Sequence, residues 1–115
     1  MSQALAIRLT PETVRSLAFG SIGAAYIGVG TSMTNPIRIL ILQNMTDVDL
    51  MFSFDGINDH LPIPTTGQLV LDITANKTIT QGFFLAEGQR IYVKQISGAP
   101  ASGSVYVSAF YGHEV

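Results

Sequence analysis

Apolar residues alternate with polar or small ones in most short segments of the chain, which is typical of β-strands that bury one face. The alternation is clear in "LAIRL" (5–9), "QLVLDI" (68–73), "RIYVKQI" (90–96) and "SVYVSAFYG" (104–112). Glycine and proline interrupt the chain at short intervals, so the segments between them are too short for ordinary helices. The pattern therefore predicts strands rather than helices.

Other segments carry weaker strand patterns. "ETVRSLAF" (12–19) alternates and is predicted as a strand, although it could also form two helical turns. "AAYIGVG" (24–30) is predicted as a strand in which Gly28 marks a bulge or a close backbone approach. "DLMFSF" (49–54) follows the polar turn "NMTD" and is predicted to form a hairpin with 37–44. "GFFLAEGQ" (82–89) is predicted to hold a short strand and a turn, and "LPIPTTG" (61–67) an extended connection.

The segment "IRILILQN" (37–44) is apolar on both faces apart from Arg38. Such a strand is either central in a sandwich with its outer face covered or part of an interface. Arg38 is interpreted as an interface ion-pair partner or as an arginine that snorkels to water. We assign to the core or an interface the residues Ile37, Ile39, Ile41, Leu50, Phe52, Val105 and Val107. A second buried face is predicted to contain Leu40, Leu42 and Tyr106.

The predicted strands number seven to nine and recur at a spacing of about 8–14 residues, a pattern typical of antiparallel sandwiches. No helix-length segment lies between them, so a βαβ arrangement is not expected. The chain has 115 residues, which suits one domain. The sequence therefore predicts an all-β fold, an antiparallel β-sandwich that resembles a jelly roll.

Composition narrows the possible partners. Charged residues make up 12% of the chain and the net charge is −2, against a usual charged share of about 25%. No basic run is present, so nucleic acid is not an expected partner. No apolar stretch approaches the ~20 residues of a membrane span and no signal peptide precedes the first strand, so we expect synthesis in the cytoplasm and no membrane contact. The 47% of apolar residues exceeds what a small core needs, which favours burial against other protein.

The segment "SFDGINDHLPIP" places Asp55, Asn58, Asp59 and His60 within six positions. A calcium loop would need a closing Glu at its twelfth position, which is missing. A zinc site would need further ligands, and the chain has no cysteine and only one other histidine, His113. A polar turn explains the same residues, because Asp-Gly is a turn signal and Asn and Asp bond their own backbone. We therefore expect no metal and no cofactor.

No Gly-x-Ser-x-Gly motif occurs, and the carboxylates fall beside predicted turns, so we expect no enzyme activity. The composition favours a structural subunit that is buried against other protein. The alternative is a receptor- or glycan-binding sandwich that uses the loops 55–60 and 97–104. Sugar-binding sandwiches usually stack the sugar on Trp, which this chain lacks.

The order of several motifs resembles a group of small tailed-bacteriophage virion proteins. These motifs are "IRILILQNMTDVDLMFSFDGINDHLPIP", "LVLDITANK", "GFFLAEGQRIYVKQISG" and the closing "GSVYVSAFYG". The resemblance covers residues 31–112 and implies a β-sandwich subunit at the capsid surface, as a decoration or cement protein, or in the neck or tail. It also implies several copies that contact one another and other virion proteins, with no catalytic residues. Residues 1–30 lie outside it and are expected to form a strand or arm engaged with neighbouring subunits, beside a sandwich of residues 31–115.

Overall fold

The computed structural model describes residues 7–72 and 88–114, and within them the chain forms two antiparallel sheets that pack together. The predicted all-β sandwich is confirmed. The strands of the described residues are β1 (Ile7–Pro11), β2 (Arg15–Ala18), β3 (Ile27–Gly28), β4 (Ile37–Asn44), β5 (Leu50–Ser53), β6 (Leu61–Ile63), β7 (Gln68–Asp72), β8 (Tyr92–Gln95) and β9 (Ser104–Glu114). A short 3-10 turn, Phe19–Ser21, follows β2.

The larger sheet has five strands in the order β1-β9-β4-β7, and β2 also pairs with β9. β1 and β2 lie end to end along one side of the long strand β9, since Pro11 pairs with Phe110 and Arg15 with Val107. The smaller sheet has the order β3-β8-β5-β6. Residues 7–18 thus complete the larger sheet of their own chain, whereas contact of residues 1–30 with neighbouring subunits stays a prediction.

The hairpin predicted for 37–44 and 49–54 is wrong. β4 belongs to the larger sheet and β5 to the smaller one, so the turn between them crosses from sheet to sheet. The turn is bent by Asn44, whose Oδ1 accepts hydrogen bonds from Thr46 N at 3.0 Å and Thr46 Oγ1 at 2.6 Å. Those bonds turn the chain out of the larger sheet directly after β4.

Two other expectations about the elements can be compared with the structure. Residues 15–18 form a strand, so the helical alternative for 12–19 is wrong. The segment "LPI" at 61–63, predicted as an extended connection, pairs with β5 as an edge strand, where Pro62 removes no inner ladder bond. The strand predicted in 82–89 lies almost wholly outside the described residues.

The core fills the space between the two sheets. It is built from residues that alternate inward along β4, β5, β8 and β9, together with loop residues that close its ends. The buried apolar side chains are Ile22, Val29, Met33, Ile37, Leu40, Leu42, Leu50, Phe52, Ile63, Ile91, Val93, Val105, Val107 and Ala109.

The face assignment within β4 differs from the prediction. Leu40 and Leu42 are fully buried in the core, whereas Ile39 and Ile41 are only partly buried on the opposite side. A register irregularity between Ile37 and Ile39 lets Ile37 turn inward with the leucines. Both sides of the strand are apolar, so alternation alone could not show which side enters the core.

Tyr106 does not share a face with Leu40 and Leu42, so the predicted second buried face is wrong in its membership. Tyr106 pairs with Gln43, on the outer side of the larger sheet, and is 36% exposed. Its neighbours along β9, Val105 and Val107, are the residues that point into the core. Tyr106 therefore belongs to the molecular surface.

The close approach predicted at Gly28 is confirmed. A Cβ at Gly28 would overlap the guanidinium group of Arg90, which occupies the space above the strand. Arg90 also donates from Nε to the carbonyl oxygen of Gly30 at 2.7 Å. The lack of a side chain at Gly28 thus allows Arg90 to connect β3 to the segment before β8. Among the described residues, no helix is long and apolar enough to span a membrane.

Candidate functional site

The polar loop, residues 54–60, follows β5 and is organised by Asp55. Its Oδ1 accepts hydrogen bonds from the backbone N–H of Ile57 at 2.8 Å and of Asn58 at 2.9 Å. Its Oδ2 accepts from Asn58 Nδ2 at 2.8 Å, and Ser53 Oγ donates to Oδ1 at 2.9 Å. The backbone bonds from Asn58 and Ile57 hold the pKa of Asp55 well below its usual range. The turn predicted for this segment is present, with Asp55 as its acceptor.

Asp59 connects the polar loop to the smaller sheet. Its Oδ1 accepts a hydrogen bond from Tyr26 Oη at 2.5 Å and lies 3.1 Å from Lys94 Nζ. The Lys94 ammonium also lies 4.7 Å from the centre of the Tyr26 ring, within cation–π range. The hydrogen bond from Tyr26, and then that from Lys94, lowers the pKa of Asp59. Burial, followed by the bond to Asp59 and its charge, raises the pKa of Tyr26.

These contacts fold the polar loop back over the outer side of the smaller sheet. At Gly56, which has a positive φ of 74°, a Cβ would lie 3.2 Å from the ring of Tyr92. Lys94 and Met51 pair across β8 and β5 on that same side. The loop therefore lies over part of the sheet, and Ile57 on its solvent side is 79% exposed.

Ser53, Asp55 and His60 are close together, but their hydrogen bonds differ from those of a catalytic triad. Ser53 Oγ donates to Asp55 Oδ1 at 2.9 Å and lies 3.5 Å from Nδ1 of His60, whereas the hydroxyl of a triad serine donates to the histidine. Nδ1 of His60 accepts a hydrogen bond from the backbone N–H of Phe54 at 3.1 Å. Across residues 7–72 and 88–114, no group of three His, Asp or Glu side chains is arranged to hold a metal ion.

A cleft of about 440 Å³ lies beside the polar loop. It is lined by Phe54, Asp55, His60, Leu61 and Gln89, and Gln89 is fixed by a hydrogen bond from its Nε2 to the carbonyl oxygen of Phe54. The second loop considered for ligand binding, 97–104, leaves the smaller sheet at the other end, because Ser53 pairs with Tyr92 and Leu50 with Gln95. The loops 55–60 and 97–104 therefore do not combine into one site.

The outer side of the larger sheet carries more apolar side chains than the polar loop. Ile39 pairs with Phe110, and Ile41 lies between Ser108 and Val70, so neighbouring outward positions meet across three strands. Val70 is 52% exposed. We name this surface the apolar face and define it by Ile39, Ile41, Val70, Tyr106 and Phe110. No described element packs over it.

The predicted site residues fall into two groups. Leu40, Leu42 and Phe52 are buried in the core, where they pack between the two sheets and are not accessible to another protein. Tyr106 belongs to the apolar face, and Arg38 lies half-buried in β4 beside the register irregularity. The prediction did not place Val70 and Phe110 on this surface, although both alternate outward in their strands.

A second polar cluster fixes β1 and β2 to the loop 31–35. Glu12 and Arg15 form an ion pair at 2.6 Å with side chains 4% and 7% exposed. Arg15 donates to the carbonyl oxygen of Thr31 at 2.7 Å, and Glu12 accepts from Thr34 Oγ1 at 2.9 Å and from Asn35 Nδ2 at 3.0 Å. Burial raises the pKa of Glu12, but the bonds from Asn35, Arg15 and Thr34 outweigh it, so its pKa lies below the ordinary value.

Comparison of the chain with protein-family models, with curated proteins and with solved structures finds no match in any of the three. The resemblance to phage virion proteins therefore stays a prediction made from residue patterns.

The polar loop and the apolar face differ in the contacts of their side chains. In the polar loop, the carboxylates of Asp55 and Asp59 bind groups of their own chain. On the apolar face, isoleucine, valine and aromatic side chains are partly exposed without a covering element among the described residues. The first arrangement stabilises a loop, and the second is suited to burial against another protein.

Proposed function

We propose that this protein is a non-enzymatic structural component of a tailed-phage virion, which acts by self-association and by docking on other virion proteins. The observation that carries the proposal is the apolar face of the larger sheet. Ile39 pairs with Phe110 and Ile41 with Val70, so apolar side chains from three adjacent strands meet there. Tyr106 pairs with Gln43, and the polar residues Ser108 and Asp72 lie opposite Ile41 and Ile39 on the same side. Contiguous apolar surface of this kind marks protein–protein contact.

Burial of the apolar face supplies the free energy for assembly. At ~25 cal/mol per Å², an interface that buried about 800 Å² of apolar surface in total, of which the apolar face is one part, would release roughly 20 kcal/mol before the costs of association are subtracted. A sheet face suits this role because the strand backbone fixes the direction of each Cα–Cβ bond, and β-branched isoleucine and valine side chains have few rotamers to lose on binding. The low charge of the chain, 12% of residues, also reduces the polar groups that must be desolvated.

The occupant proposed for the apolar face is another subunit of the particle. Rigid side chains and a low charge favour a permanent contact over a transient one, since obligate interfaces are the more hydrophobic class. The polar groups of the smaller sheet are bound within the chain, as the contacts of Asp59 with Tyr26 and Lys94 show. This leaves the larger sheet as the side through which the subunit docks.

Incorporation into particles tests the proposed function. We expect quantitative mass spectrometry of purified virions to find the chain at a fixed copy number relative to the major capsid protein. Ile41→Lys introduces a charge into the apolar face and should abolish incorporation. Ile57→Lys places the same charge on the polar loop, where the residue is 79% exposed, and should incorporate normally. Absence of the chain from purified particles, or equal incorporation of the two variants, would refute the proposal.

The cleft beside the polar loop favours a second candidate, a receptor- or glycan-binding module. Phe54 and Leu61 give it an apolar wall, and His60 and Gln89 give it polar groups. If this candidate were correct, a glycan panel would raise the melting temperature of the purified chain, and His60→Ala would remove that rise. No rise with any glycan, together with particle incorporation, would leave the structural role as the function.

A further inference from the structure

Asp55 and Gly56 form the one Asp-Gly pair in the sequence. In such a pair the backbone nitrogen of glycine can attack Cγ of the aspartyl side chain, because glycine has no Cβ to obstruct the approach. A C–N bond forms, the carboxyl hydroxyl leaves as water with the amide proton, and a succinimide ring remains. Water then opens the ring at either carbonyl group, which gives aspartate or isoaspartate. The sequence of this chain therefore favours isomerisation at Asp55 above its other aspartates.

The attacking nitrogen, that of Gly56, is bound by Ser53 in the folded chain. The N–H of Gly56 donates to Ser53 Oγ at 3.0 Å, and the N–H of Asp55 donates to the same oxygen at 3.2 Å. Ser53 is 1% exposed at the end of β5, where it pairs with Tyr92 of β8. The nitrogen must lose its proton and turn towards Cγ to attack, so the bond to Ser53 has to break first.

The carboxylate of Asp55 is held in its unreactive form. Oδ1 accepts from Ser53 Oγ and from the backbone N–H groups of Ile57 and Asn58, and Oδ2 accepts from Asn58 Nδ2. Ring closure expels one of these oxygens, so the bonds to that oxygen are necessarily lost. Ring closure also requires the neutral carboxyl group, and the backbone bonds from Asn58 and Ile57 hold the pKa of Asp55 well below its usual range.

We propose that Asp55 is the position at which this chain forms isoaspartate, and that Ser53 slows the reaction by binding both the amide of Gly56 and the carboxylate of Asp55. Isomerisation then takes place in those molecules in which the polar loop has opened locally, and its rate follows the open fraction. Ser53 is a positioning residue in this scheme, because it acts by keeping the loop closed. The inference goes beyond the proposed function and does not depend on the apolar face.

Isoaspartate at position 55 would release the polar loop from the smaller sheet. The main chain would run through Cβ and Cγ of that residue and become one carbon longer, and the free carboxylate would be attached to Cα. The N–H groups of Ile57 and Asn58 would lose their acceptor, and the loop would no longer place Asp59 against Tyr26. None of these residues belongs to a strand of the larger sheet, so we expect that sheet to keep its structure.

Peptide mapping with a protease that cleaves before aspartate, but not before isoaspartate, tests the assignment. Isomerisation at Asp55 leaves the peptide 49–58 uncleaved, and cleavage before Asp49 and Asp59 is the internal control. We expect the full chain, incubated at neutral pH, to accumulate this peptide at least about tenfold faster in concentrated guanidinium chloride than in the folded state, because unfolding removes every bond of the loop.

A serine substitution tests the role of Ser53. Ser53→Ala should isomerise about tenfold faster than the parent under folding conditions, because the closed loop loses its bonds to the hydroxyl. The two chains should isomerise at the same rate in guanidinium chloride, where the loop does not form. Ser108→Ala removes a hydroxyl from the larger sheet and should keep the parent rate in both conditions.

Three results would overturn the inference: a folded parent that isomerises as fast as the unfolded chain, a folded Ser53→Ala chain at the parent rate, or isoaspartate at Asp49 or Asp59 in place of Asp55. If Ser53→Ala did not fold, the folded and unfolded parent would still give the deciding comparison. Particle incorporation measures the apolar face separately, so the failure of either proposal leaves the other standing.

Discussion

The side-chain amide of Asn44, at the end of β4 in the larger sheet, donates a hydrogen bond to the carbonyl oxygen of Ile63 in the smaller sheet at 2.9 Å. The same Nδ2 donates to the carbonyl oxygen of Val48 at 2.9 Å, and Oδ1 accepts from both donors of Thr46. Asn44 and Thr46 are buried. One amide thus links the two layers at the point where the chain crosses between them.

Replacing Asn44 with leucine should destabilise the fold by about 2–4 kcal/mol, because buried carbonyl and N–H groups lose their partners. Urea unfolding followed by circular dichroism measures the change. Gln43→Leu alters the neighbouring residue, which makes a 3.3 Å contact with Gln68 on the outer side, and should cost under about 0.5 kcal/mol. Equal losses for the two variants would contradict the role assigned to Asn44.

Gly103→Ala should destabilise the fold, because Gly103 has a positive φ of 91° and a Cβ there would overlap the carbonyl oxygen of Met45. Strain and displacement of the backbone together should cost about 2 kcal/mol or more. Gly98→Ala is the matched control in the same loop, since no atom lies within 4 Å of its added Cβ. Thermal unfolding of both variants gives the comparison, and a melting temperature for Gly103→Ala no lower than that of Gly98→Ala would count against the loop geometry.

The free energy of unfolding should fall in acid because the Glu12 carboxylate becomes protonated. The pKa of Glu12 in the folded chain is lower than its ordinary value of 4.5, so the folded state favours the ionised carboxylate. Its contribution is therefore complete above that ordinary value and is lost as the pH falls through the folded pKa. Urea unfolding between pH 7 and pH 3 should show a smaller acid loss for Glu12→Gln than for the parent.

At pH 7 the Glu12→Gln variant should be less stable than the parent by about 1–3 kcal/mol, because Arg15 is buried and loses its charged partner. If the free energies of unfolding of the parent and of Glu12→Gln differed by the same amount at every pH, the ion pair would not account for the acid sensitivity.

Asp55→Ala should free the backbone of the polar loop. The amide N–H groups of Ile57 and Asn58 both donate to Asp55 Oδ1, so their hydrogen exchange should accelerate in the variant. Asn58→Ala removes only the side-chain bond to Oδ2 and should leave both amides protected. NMR exchange rates at these two amides decide the matter, and unchanged protection in Asp55→Ala would show that another group holds the turn.

Alternation along the chain was sufficient to predict the sandwich, because strand periodicity depends only on which positions meet the core. It failed to assign the faces of β4, since both sides of that strand are apolar. The parity of Asn44 could not resolve the faces, because asparagine is usually exposed, whereas Asn44 is buried on the same side as Leu40 and Leu42 and bonds across the sheet crossing.

Long-range polar contacts could not be predicted from the sequence. Tyr26 and Lys94 both bind Asp59, but they lie 33 and 35 positions from it along the chain, and neither position has a local pattern that indicates the contact. The turn around Asp55 was predictable because its bonds reach only two or three residues ahead. Short sequence motifs indicate local hydrogen bonds, whereas the packing of a loop over a sheet depends on the whole topology.

The central claim is that the apolar face of the larger sheet is buried against other subunits, and sedimentation velocity of the purified chain tests it most directly. We predict that the parent and Ile57→Lys sediment as the same oligomer at about 0.1 mM. Ile41→Lys should sediment as a smaller species, because its charge lies in the centre of the face. A parent chain that sediments as a monomer, or three chains of identical size, would contradict the claim.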